Sequence, residues 1–272
     1  MTLISIQDLV SPERHIFLSP HYDDISLAAG GTARQLASNG RQPEIALIFG
    51  DHPDPNLPLT PFARELHQRW GLSATEAVYA RRAEEAAASS LIGATDRYLP
   101  FHDAIYRGDR YLSDDDLFGT PTPDESSLPA LILASLDVGD TNPGSTRFYA
   151  PLAIGNHVDH QHAFLVGVKL HQDGHQVWFY EDLPYALIPG KLEARLSVAS
   201  PAVEVAALVD VSSVWNTKID AIMAYPSQLD VIFGGYANLG TTRSDIDAAM
   251  RQQSESLGDG VAAERFWIVA TS

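Results

Sequence analysis

Short apolar runs that give way to a polar loop and then to helix-forming sequence recur along this chain, and few architectures can hold such an alternation. Ile16-Phe17-Leu18 sits in a predicted strand over 15–19 that follows a polar turn and ends at Pro20. Helical composition follows over 26–39, with Leu27, Ala28, Leu36 and Ala37 apolar and Gly40 as the stop. Further strands are predicted over 44–49, 97–100, 146–152, 176–180, 203–209 and 266–269, and further helices over 62–70, 74–91, 131–136, 158–170 and 211–225. This order predicts an α/β fold, a Rossmann-like, mostly parallel sheet with helices on both faces that takes its ligand at the carboxyl ends of the strands. The 272 residues fit one such domain over 1–272, with the proline- and aspartate-rich stretch 50–61 as a loop walling the site and 113–129 as an exposed excursion.

Composition narrows the chemistry. A formal charge of -17 argues against a sequence-independent nucleic-acid binder and against binding to anionic membranes, since both need Lys and Arg against phosphate. The chain has no cysteine, so disulfides, thiolate nucleophiles and cysteine-bound zinc are excluded and any metal must sit on His, Asp or Glu. Residues 1–8 lack the basic region and long apolar run of a signal peptide, and no apolar stretch reaches the ~18 residues that span a bilayer, so a cytoplasmic protein is expected. A homo-oligomer is compatible with the sequence.

Two clusters carry metal-binding vocabulary. Ser19-Pro20-His21-Tyr22-Asp23-Asp24-Ile25 places an imidazole and two carboxylates directly after a buried strand. A catalytic zinc takes three His, Asp or Glu ligands and keeps a fourth position for water. Two adjacent carboxylates do not easily face one ion, so one is expected to coordinate while its neighbour stays free to accept a proton. The competing reading is structural, with His21 starting a turn and Asp23 or Asp24 capping the next helix. The second cluster, Gly155-Asn156-His157-Val158-Asp159-His160-Gln161-His162, also follows a predicted strand and opens a helix. His157 and His160 share a helical face while His162 points elsewhere. Residue spacing alone does not choose among these histidines.

At these residues the chain resembles the PIG-L/LmbE-like family of zinc-dependent N-deacetylases, which act mainly on N-acetylglucosamine conjugates. The family's His-Pro-Asp-Asp motif with a downstream Gly-Gly pair is matched by His21-Tyr22-Asp23-Asp24 and Gly30-Gly31, and its His-x-Asp-His motif by His157-Val158-Asp159-His160. Arg82 through Gly93 resembles the family's Arg-x-x-Glu helix, with Arg82 and Glu85 aligned, and Ala224-Tyr225-Pro226-Ser227-Gln228 resembles a late Tyr-x-Ser-Gln element. Tyr22 replaces the usual proline and Ile25 a common glutamate, which marks a divergent branch. The resemblance implies one zinc per chain on His21, Asp24 and His160. It implies Asp23 as general base, His157 as the group that stabilises the oxyanion or protonates the leaving amine, and Asp159 as the orienting partner of His157. The implied substrate is a small N-acyl amino sugar or glycoconjugate.

Further residues are candidates for substrate contact: Tyr22, His52, Arg82, Asp103, Arg107 and Glu181. Asp103, Tyr106 and Arg107 follow the third strand, and Tyr180-Glu181-Asp182 sits at another strand end. Arg82 has a bland alternative in an i,i+3 pair with Glu85. His52-Pro53-Asp54-Pro55 imitates the first motif but lacks the second carboxylate and reads as a loop feature. Gly30-Gly31 is not part of a Gly-x-Gly-x-x-Gly fingerprint, so a dinucleotide is disfavoured and close helix–sheet packing explains the pair better. Two rival functions are weighed. A phosphoesterase would be expected to hold two metals about 3.5–4 Å apart with more ligands than are present. A catalytically silent sugar-binding protein should have lost part of the ligand set.

Overall fold

Ile16 and Leu18 of the strand Arg14–Ser19 (β1) belong to one apolar core and Phe17 to another, because successive side chains of a strand point to opposite faces. The same division runs through the strands beside it, with Ile45 and Leu47 on one side of Glu44–Leu47 (β2) and Ala46 on the other. The structure, a computed structural model, describes residues 3–54, 56, 58–71, 73–138 and 143–271. Pro55 of the motif-like loop lies outside the described residues.

The remaining strands are Thr95–Tyr98 (β3), Thr146–Pro151 (β4), Gln176–Tyr180 (β5), Val203–Asp210 (β6) and Ala263–Val269 (β7). They form one seven-stranded sheet in the order β3-β2-β1-β4-β5-β7-β6. β3, β2, β1, β4 and β5 pair in parallel, and β7 enters antiparallel between β5 and β6. Asp24–Ala28, Gly30–Ser38, Ala74–Ile92, Trp215–Ile222 and Arg243–Leu257 supply the apolar core on one face. Leu128–Ser135, Val158–Gln172 and Lys191–Val198 cover the other. The expected mostly parallel sandwich is therefore the observed one. The chain order reverses between β1 and β4, and the carboxyl ends of those two neighbours form the crevice that such a reversal opens.

Three expectations are corrected. The helix predicted over 26–39 is two helices that break at Ala29 (φ -130°, ψ 15°). Here the backbone N–H groups of Gly31 and Thr32 donate to Glu264 at 2.9 and 2.7 Å, and Lys218 pairs with the same buried carboxylate at 2.6 Å. Only glycine permits that approach, since a Cβ at 31 would lie 2.7 Å from Val211 and 2.8 Å from Glu264 Oε1. The stretch 113–129 is not a wholly exposed excursion, because it folds Leu117 and Glu125 into the interior beside the second motif. Lys191–Val198 and Arg243–Leu257 are helices that the apolar pattern did not announce. Among the described residues no helix is long and apolar enough to cross a membrane.

Candidate active site

The chain leaves β1 through a turn in which Ser19 Oγ donates to the carbonyl of His21 at 2.6 Å and the His21 N–H donates to Asp24 Oδ2 at 2.7 Å. Asp23 then takes a left-handed conformation (φ 83°, ψ -29°), which costs a non-glycine residue roughly 1–2 kcal/mol. It occupies the N-cap position of Asp24–Ala28, yet its side chain makes no capping hydrogen bond. The carboxylate is thereby left for other work. From β4 the chain passes through left-handed Ala153, Gly155 and Asn156 to His157, the N-cap of Val158–Gln172. Glycine is required at 155, where φ is +91° and a Cβ would lie 2.6 Å from the ring of Tyr185.

The two turns bring three imidazoles together. Each of His21, His157 and His160 offers a ring nitrogen, and these atoms lie within 4.8 Å of one another. Asp24 stands between two of the rings, with Oδ1 3.6 Å from His160 Nε2 and Oδ2 3.9 Å from His21 Nδ1. A neutral imidazole carries its proton on one nitrogen and a lone pair on the other, so the hydrogen bond at one nitrogen determines what the second can do. His21 Nε2 donates to Asp159 Oδ2 at 2.9 Å and His160 Nδ1 to Asp182 Oδ1 at 2.6 Å. Both rings, when neutral, then turn a lone pair toward Asp24. His157 is the reverse case: its Nδ1 accepts the backbone N–H of Asp159 at 3.2 Å, which leaves the ring proton on Nε2 as a donor.

Electrostatics separates the neighbouring carboxylates. Burial pushes the Asp23 carboxyl up to about 8, opposed by the Arg81 guanidinium at 3.4 Å and reinforced by Asp24. Burial acts in the same direction on Asp159, but Arg107, His21 and His157 outweigh it and hold this carboxyl well below the usual range. Burial disfavours charge on His160, and here Asp24 and Asp182 prevail and raise the ring to about 9, so without a metal its Nε2 holds a second proton that a bound cation would displace to free the lone pair. For His157 burial prevails, with Asp159 opposing it, and the ring stays well below the ordinary histidine value.

His21, Asp23, Asp24, Asp103, His157 and His160 line one cavity, open to solvent, together with Arg81, Leu117, Tyr185 and Tyr236. Other candidates are placed elsewhere. The Asp159 carboxylate meets His21 rather than His157, being shared among His21, the Ala104 N–H at 3.0 Å and Arg107 at 2.6 Å, and Asp159 reaches His157 through its backbone N–H alone. Arg107 does not wall the cavity; it is buried behind Asp159 and also pairs with Glu125 at 2.7 Å. Arg82 extends along the same helix but over the Tyr98 ring and onto the Tyr22 hydroxyl, while Arg81 faces the cavity. Tyr22 is buried with its hydroxyl on the Gly50 carbonyl at 2.6 Å, and the His52 ring leans on Tyr79. Glu181 turns away from the site to Arg265, Trp267 and Gln253, since the side chains at the end of β5 alternate and only Asp182 faces His160. Asp182 stood in the flagged segment Tyr180-Glu181-Asp182, from which Glu181 was singled out instead, whereas Arg81 was missed because its position depends on the rotation of its helix.

No family model matches the chain. It is 30% identical over 280 residues to the 2'-N-acetylparomamine deacetylase of Niallia circulans, an alignment covering 94% of this chain and 90% of that protein. It is also 30% identical to the 2'-N-acetylparomamine deacetylase of Streptomyces fradiae, covering 80% of this chain and 74% of the relative. Among solved structures, a deacetylase from the biosynthesis pathway of teicoplanin superposes with a TM-score of 0.75 at 24% identity, covering 95% of this chain and 98% of that one. Teicoplanin deacetylase in a zinc-inhibited form superposes with a TM-score of 0.74 at 23% identity over the same shares of the two chains.

Proposed function

The chain belongs to the LmbE/PIG-L-like deacetylase family, a family of N-deacetylase hydrolases, and from that premise we propose that it is a zinc-dependent enzyme removing the acetyl group from the amide nitrogen of an amino sugar within a glycoconjugate. The substrate reading is supported by its relatives, which are named for 2'-N-acetylparomamine, and the setting that goes with it is a cytoplasmic, single-domain biosynthetic enzyme. The observation that carries the zinc reading is the convergence on Asp24 of two ring nitrogens, His21 Nδ1 and His160 Nε2, whose opposite nitrogens are engaged by carboxylates. Two imidazoles and one carboxylate are a donor set that suits zinc and leaves a coordination position open. The carboxylates behind the rings, Asp159 and Asp182, are the partners that orient such ligands and raise their basicity.

Bound to His21, Asp24 and His160, zinc would supply Lewis acidity, lowering the pKa of a water from about 15.7 to about 7 and polarising the amide carbonyl. The protein's own groups move the protons. Asp23, a carboxyl whose affinity for a proton is raised by burial toward the working pH, accepts one from the attacking water and returns it to the departing amine. The Nε2–H of His157 donates to the carbonyl oxygen as negative charge develops there, and the left-handed turn at Asn156 together with the bond from Asp159 N–H keeps the ring in place. Arg81, 3.4 Å from Asp23 in the same cavity, is aimed at a hydroxyl or other electron-rich group of the sugar.

Elemental analysis of protein purified without chelator is expected to give about one zinc per chain, and incubation with 2'-N-acetylparomamine to release acetate and a free amine. His160→Ala is expected to lose the metal. Unchanged metal content in that variant overturns the ligand assignment, and turnover unaffected by exhaustive chelation overturns zinc dependence.

A further inference from the structure

The left-handed turn at Asp23 is held from behind by groups that the mechanism above does not use. The Asp23 N–H donates to Glu85 Oε2 at 3.1 Å, and the hydroxyl of Tyr225 donates to the same oxygen at 2.9 Å. Ser26, three residues after Asp23, closes the ring with its hydroxyl 3.2 Å from that of Tyr225. All of these side chains are buried. Glu85 lies one turn beyond Arg81 on Ala74–Ile92, so one helix supplies the cation beside the Asp23 carboxylate and the acceptor for the Asp23 backbone. Tyr225 comes from the turn that also sends Gln228 to the cavity, and Glu84 secures that turn through the Ser227 N–H and hydroxyl at 2.9 and 2.6 Å.

We infer that Glu85 and Tyr225 are positioning residues for the base: they hold the Asp23 backbone in its left-handed conformation, which directs the carboxylate into the cavity instead of onto the helix it precedes. A buried carboxylate is a costly way to fill a core, and apolar side chains of the same volume would usually stabilise at least as well. What an apolar pair cannot do is accept the N–H of a residue whose backbone has left the helical register. The Tyr225 hydroxyl keeps the acceptor oxygen in line, and through Ser26 it ties the far end of the same turn.

The inference rests on Asp23 being the base, and the test separates the two. Glu85→Ala, Glu85→Gln, Tyr225→Phe and Asp23→Ala are assayed beside wild type on 2'-N-acetylparomamine, with kcat, KM and bound zinc measured for each. Glu85→Ala is expected to lower kcat by ~10- to 100-fold, the scale of a misplaced group, with KM and zinc content within about twofold of wild type. Glu85→Gln keeps an oxygen acceptor and is expected to recover most of that loss, a rescue that a generic packing role would not tie to the acceptor. Should Glu85→Ala fail to fold, Tyr225→Phe is expected to lower kcat several-fold at unchanged KM. The positioning role is overturned if folded Glu85→Ala or Tyr225→Phe retains wild-type kcat, or if zinc is lost in proportion to activity. An Asp23→Ala protein as fast as wild type overturns the reading of the base, and the positioning role with it.

Discussion

Asp23 and Asp24 are chemically identical neighbours, and their surroundings give them different work. Asp24 accepts the His21 N–H and faces two imidazole nitrogens, whereas Asp23 is buried against Arg81 with its proton affinity raised. Replacing Asp23 by Ala is therefore expected to leave the zinc content unchanged and to lower kcat by about 100- to 10,000-fold, the usual contribution of a general base, as read by acetate release. Metal loss in that variant would mean that the two carboxylates had exchanged roles. His21, Asp23, Asp24, His157 and His160 were legible in the sequence because each lies within a short cluster after an apolar run. Their pairings were not: Asp182 is 22 residues from His160 and Asp159 is 138 from His21, and no local spacing carries such a contact.

At the scale of elements, the strands could be read because apolar runs bounded by turns have few other uses. The break between Asp24–Ala28 and Gly30–Ser38 could not, because it depends on a carboxylate from β7 reaching Gly31 and Thr32. The same contact explains Gly30-Gly31 as close packing of helix against sheet. It also yields a stability prediction. Lys218 is buried and bonded to Glu264 at 2.6 Å, so Lys218→Met leaves a buried carboxylate without its cation. The variant is expected to lose about 3–5 kcal/mol in urea denaturation, with the zinc-binding residues untouched. A loss below ~1 kcal/mol would show that the two backbone donors of the helix suffice for Glu264.

For the molecule as a whole, acid stability should depend on a charge network one layer behind the cavity. Burial raises the Glu125 carboxyl, but His162 and Arg107 prevail and bring it from 4.5 to about 2. A carboxyl depressed in the folded state contributes stability that is present above its ordinary pKa and is lost as pH falls through its folded value, here between 4.5 and about 2. The difference in Tm between wild type and Glu125→Gln is accordingly expected to be largest near pH 7 and to narrow as the pH is lowered toward 3; a constant difference would deny the linkage. The sequence by itself determined the α/β class, the two strand-end clusters, the exclusion of cysteine chemistry and the residues that carry the deacetylase resemblance, because these depend on local pattern and residue type. Only the tertiary structure decided which imidazole nitrogen keeps a lone pair, that Arg81 rather than Arg82 meets Asp23, and that Asp159 serves His21, because each depends on which distant side chain occupies the other end of a hydrogen bond.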